Sequence, residues 1–184
     1  RDMGEPLEGG KPQGGEDMDG RVLACRPVHE GEEVSCAGYA MRFNRQGEIV
    51  YLEREGRLLA DWAHRLLTLR YEQFCMDDYK RFYGQFCRKD VDWAREDFTK
   101  IGMEQGVDCY RRYEPEAAKV HASPEEIIVT YAFPRQAWEE YGCPEKFDLI
   151  IREAADGLEF DLAWFNKPAN RMAEAIWVGF RPMA

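Results

Sequence analysis

Short runs of alternating apolar and polar residues, punctuated by turn residues, constrain this chain more than any other feature. Leu158, Phe160, Leu162 and Trp164 alternate with Glu159, Asp161 and Ala163, the two-residue period of a strand with one face buried. A compact polar centre follows, Asn166-Lys167-Pro168-Ala169-Asn170-Arg171. Pro168 cannot donate to a ladder, so the strand stops before it. Pairing resumes near Ala175, with Ile176, Val178 and Phe180 on one side and Trp177 on the other. Upstream, Ile127, Val129, Tyr131 and Phe133 share a face until Pro134 closes the run. Asn44-Arg45-Gln46-Gly47 reads as a hairpin turn into Glu48–Leu52, and a turn around Glu55-Gly56 leads to Arg57–Trp62. Hairpins so close together set the rhythm of an antiparallel sheet, not of a βαβ fold.

Further strands are expected at Arg21–Val28, Glu33–Phe43, Leu66–Phe74, Lys119–His121 and Phe147–Arg152. The total is roughly eight to eleven strands. One segment breaks the pattern. Tyr79, Phe82, Tyr83 and Phe86 are spaced to stack along one side of a helix that docks on a sheet, with Asp77 or Asp78 capping its start. Val91–Phe98 holds a second short helical turn. The fold class is therefore all-β: a two-layer antiparallel β-sandwich with one or two short helices, closing its core between two inner faces. It occupies residues 21–184. Residues 1–20, rich in glycine and acids and almost without apolar side chains, form a flexible linker.

At 184 residues, 45% of them apolar, the chain fits one domain with a large aromatic core. Its formal net charge is −10 and its basic residues are scattered, which disfavours phosphate backbones and anionic membranes but leaves neutral sugars unaffected. No apolar run approaches the roughly 18 to 20 residues needed to span a bilayer. Cys25, Cys36, Cys75, Cys87, Cys109 and Cys143 contain no C-x-x-C pair, and no Cys or His lies near another at zinc-ligand spacing. They read as reduced, mostly buried thiols and place the chain in the cytoplasm. The start at Arg1 reads as a piece of something longer, or a processed product.

At the terminal motif the chain resembles a known group. Trp164-Phe165-x-Lys167-Pro168-Ala169-x-Arg171-x-x-Glu174-Ala175-x-Trp177-x-x-Phe180 is similar to the closing segment of poorly characterised glycoside-hydrolase-like proteins related to the family 38 alpha-mannosidases. Arg70-Tyr71-x-x-Phe74, Asp78-Tyr79, Asp97-Phe98-x-Lys100 and Gly142-Cys143-Pro144 match in the same order. The chain departs from that pattern at Met172-Ala173, where Leu-Pro is commoner. In such relatives a barrel carries the metal and the catalytic carboxylates, and a mutarotase-like supersandwich follows it. The resemblance covers only that trailing β-region. It implies a non-catalytic C-terminal domain that supports a barrel and borders its carbohydrate site. It further implies no cofactor in this chain, zinc in the parent's barrel, and the barrel and carbohydrate as partners, with neither nucleic acid nor membrane among them.

No catalytic residue is assigned. Trp164, Lys167, Asn170, Arg171 and Glu174 are the candidate carbohydrate or interdomain contacts, because Arg can grip a carboxylate and Asn can bind hydroxyls. The competing reading is that Arg171 and Glu174 pin an irregular turn. Trp164 and Trp177 are expected in the core. Two alternatives are a stand-alone carbohydrate-binding module and a mutarotase-like epimerase, the latter needing a His acid and a Glu base such as His64 and Glu159.

Overall fold

The computed structural model describes residues 25–87, 108–170 and 172–183. The 1–20 linker, the 91–98 turn and the Asp97-Phe98-x-Lys100 match lie outside these residues. In chain order the described elements are β1 (Arg26–Val28), β2 (Glu33–Cys36), β3 (Tyr39–Phe43), β4 (Ile49–Arg54), β5 (Arg57–Ala60) and β6 (Leu66–Phe74). Helix α1 (Met76–Phe86) and β7 (Arg111–Tyr113), β8 (Ala117–Ala122) and β9 (Glu126–Ala132) come next. Helix α2 (Arg135–Glu139), β10 (Lys146–Ala154), β11 (Gly157–Phe165) and β12 (Ala173–Phe180) complete the set.

The strands form two antiparallel sheets, as the alternation requires. One has the order β1-β8-β9-β10-β11; the other has β12-β6-β4-β3-β2, with β5 added to β4 and β7 added to β6. Inner-face residues of both sheets make one core, in which Met41, Phe43, Ile49, Tyr71, Ile127, Val129, Phe147 and Ile151 are essentially inaccessible to water.

The Glu33–Phe43 run is two strands rather than one. Ala37 and Gly38 adopt left-handed backbone (φ 53° and 75°) and pair Cys36 with Tyr39 across a two-residue turn. Glu55-Gly56 does the same between β4 and β5 (φ 55° and 80°). Such primed turns match the strand twist, which explains the non-glycine residues held at positive φ.

Two expectations fail here. Trp164 and Trp177 are not core residues: they keep 53% and 48% exposure, Trp164 near the end of an edge strand and Trp177 on the outer face of β12, opposite Arg70 and away from Ile176 and Val178. The aromatic side of α1 does not bury in a sheet. Phe82 and Phe86 are exposed and pack on each other, ring centroids 5.2 Å apart, while no residue of α1 is buried. The start of α1 is capped by Asp78, as expected, acting from the third helical position. Cys75 is the N-cap, and Asp78 Oδ2 accepts its backbone N–H at 2.9 Å.

The strands flanking the terminal motif do not pair with each other. β11 is the edge of the five-stranded sheet, and β12 is the edge of the other. The 166–172 segment therefore crosses from one layer to the other. Phe160 on β11 meets Phe180 on β12 edge to face at 5.3 Å, closing the two layers along this side.

Candidate functional site

The crossing segment meets the C-terminal half of β6 and the loop before β10 at one end of the sandwich. On β6, Tyr71 and Gln73 point inward because Leu69, Tyr71 and Gln73 share the buried face of that strand. The β12 register sets Glu174 opposite Gln73 and Ile176 opposite Tyr71. Glu174 thus enters the sandwich on the apolar side of its own strand.

Its charge is matched there. Lys167 Nζ lies 2.7 Å from Glu174 Oε1 and donates to the Gly142 carbonyl at 2.9 Å. The Tyr71 hydroxyl lies 2.5 Å from Glu174 Oε2 and 2.7 Å from the Tyr141 carbonyl oxygen. Gln73 Nε2 donates to the Tyr71 hydroxyl at 3.1 Å and also reaches the Tyr141 carbonyl. Burial, then the bond to Glu174, hold the Tyr71 phenol well above the ordinary tyrosine range. Burial likewise pushes the neighbouring Cys143 thiol up to about 12, so it stays protonated and unreactive at neutral pH.

Asn170 completes the closure sterically. Its Oδ1 accepts the Met172 backbone N–H at 3.0 Å, and its amide packs against Gly142. A side chain at Gly142 (φ 74°) would place Cβ 2.0 Å from Asn170 Nδ2, so only glycine fits. Gly142-Cys143-Pro144, Tyr71 of the Arg70–Phe74 match and Lys167–Glu174 are distant in sequence yet form this one node.

Of the sequence candidates, Lys167, Asn170 and Glu174 come together. Trp164 stands in register with Phe147 on the core-facing side of β11, half-exposed at the sandwich rim. Arg171 lies outside the described residues. Tyr71, Gln73 and the Tyr141 and Gly142 carbonyls are additional members of the site. In sequence Tyr71 reads as one more aromatic on a strand, and nothing local signals a carboxylate 103 positions away.

A second polar cluster occupies the outer face of the same sheet. Trp177 opposes Arg70 across β12 and β6. Glu72, itself buried, accepts from the Trp177 indole at 2.8 Å and the Tyr110 hydroxyl at 2.6 Å, and pairs with Arg70 Nε at 2.9 Å. Elsewhere, His64 is held by Asp61 at 2.9 Å, and Glu159 stands in register with Arg152 on β11. Among the described residues, no three of His, Cys, Asp or Glu converge to hold a metal ion. No helix among them is long and apolar enough to cross a membrane.

These features define a two-layer antiparallel β-sandwich whose end is locked by a buried polar node. Residues 16–157 match the family described as a domain of unknown function, DUF5054, and the chain belongs to that family. The matched segment opens inside the glycine-rich stretch and ends at the first residue of β11, so the crossing segment and β12 lie beyond it. No curated protein and no solved structure matches the chain.

Proposed function

We propose that this chain is a non-catalytic C-terminal β-sandwich domain of a glycoside-hydrolase-like protein related to the alpha-mannosidases. It braces the catalytic barrel and borders its carbohydrate site. The observation that carries this reading is how the node uses its polar groups. Glu174, Lys167, Tyr71 and Gln73 are engaged with one another and with backbone carbonyls, which suits a structural lock and leaves no paired carboxylates for glycosidic chemistry. On the edge strands β11 and β12, Trp164 and Phe180 remain half-exposed, apolar surface suited to a neighbouring domain. The zinc that the resemblance implies is assigned to the barrel. Six free thiols, three of them buried, support a cytoplasmic home.

The test is twofold. The purified chain should hydrolyse no aryl glycoside of mannose, galactose or glucose, and it should bind the parent's barrel region in an equimolar complex by calorimetry. Trp164→Asp should weaken that complex about tenfold or more while the melting temperature holds. Glycoside turnover by the chain alone, or no association with the barrel, overturns the proposal.

A further inference from the structure

We propose a binding site for a single neutral sugar ring in a cleft on the outer face of the seven-stranded sheet, beside Trp177. The cleft exists because β6 loses its neighbour partway along. β4 pairs with it at Leu66, and β7 joins from Tyr71 onward, so among the described residues no strand flanks Thr68 to Arg70 on that side. The gap is a cavity of about 200 Å³ lined by Gln46, Glu48, Thr68, Arg70, Arg112 and Trp177, among others. That is smaller than the roughly 300–1,000 Å³ of pockets for drug-sized ligands, and it suits one ring rather than a chain.

The charges select the ligand class. Arg70 is paired with Glu72, Arg112 with Glu114, and Glu48 with Arg65 at 2.7 Å. Each cation at the mouth is matched by an anion, so a charged ligand meets no uncompensated partner. The same groups still offer many donors and acceptors, and a sugar hydroxyl does both. Trp177 supplies the apolar surface. Its N–H is already spent on Glu72, which fixes the indole in place while 48% of the residue stays open to solvent. A preorganised aromatic costs little entropy on binding and accepts the C–H face of a pyranose. The site rests on the carbohydrate part of the preceding proposal but lies on different residues from the Trp164 rim.

The experiment follows the tryptophan indole N–H resonances of the whole chain by NMR. Methyl mannoside, galactoside and glucoside serve as neutral probes, with glucuronate and glucosamine as charged counterparts. The Trp177 resonance, assigned by its loss in Trp177→Leu, should shift with a neutral ring at a Kd on the order of 1 mM. Arg112→Ala, a change at an exposed side chain, should weaken binding about tenfold with an unchanged melting temperature. Trp62→Leu should leave binding intact. No shift with any ring overturns the site, as does tighter binding of a charged ring. So does binding that survives Arg112→Ala or is lost in Trp164→Leu. Any of these can occur while the chain still associates with its barrel, so the two proposals fail separately.

Discussion

Glu174 meets both kinds of partner a carboxylate can use, a cation at 2.7 Å and a hydroxyl at 2.5 Å. Removing it leaves Lys167 with the Gly142 carbonyl but no anion, and the Tyr71 hydroxyl with Gln73 and the Tyr141 carbonyl only. Glu174→Ala should therefore destabilise the chain by roughly 1–3 kcal/mol. Glu174→Gln should cost less, because it keeps an oxygen for Tyr71. Urea unfolding measures both, and equal stability of Glu174→Ala and the parent would refute the locking role. The polar centre was legible in sequence as a group, since Lys167, Asn170 and Glu174 interrupt two apolar strands. Their partners were not. Among the described residues, which do not include Arg171, Glu174 is met by Lys167 and by Tyr71, far away in sequence.

Elements with a strict period of two were readable almost to the residue. β6 spans the expected Leu66–Phe74, and β9 begins at Glu126 and ends just before Phe133, ahead of Pro134. Period tells which side of a strand is apolar, but not how far the opposite layer reaches. Trp164 is exposed for that reason, whereas Trp177 lies on the outward side of β12, across from Arg70. α1 shows the same limit: helical spacing aligned its aromatics, but no surface among the described residues receives Phe82 and Phe86. The N-terminus of α1 depends on Asp78, as its position in the sequence suggested: its carboxylate holds the Cys75 amide at 2.9 Å. Asp78→Ala should fray this turn at a cost of about 1 kcal/mol. Hydrogen exchange should then quicken at Cys75 and the first helical amides while the β9 and β10 amides are unchanged. Equal protection at Cys75 in both proteins would rule out the cap.

The whole sandwich carries a pH response that follows from protons held inside it. Burial raises Cys143 from its ordinary 9.0 to about 12, and moves Tyr71 and Tyr131 upward from 10.0. Above pH 9 the unfolded chain releases protons that the folded chain keeps. The native state then binds more protons, and stability falls as pH rises. The melting temperature should stay level up to about pH 9 and decline from there toward pH 12. Cys143→Ala should reduce the early part of that decline, and a melting temperature that rises over this interval would contradict the assignment. The place of β12 also orders events during synthesis. Glu174 emerges 103 residues after Tyr71, so a nascent chain on the ribosome carries a finished β6 with nothing across its flank. Only when β12 has cleared the exit tunnel can it cover β6, so these eight residues add the edge strand of the seven-stranded sheet after its partner is already made.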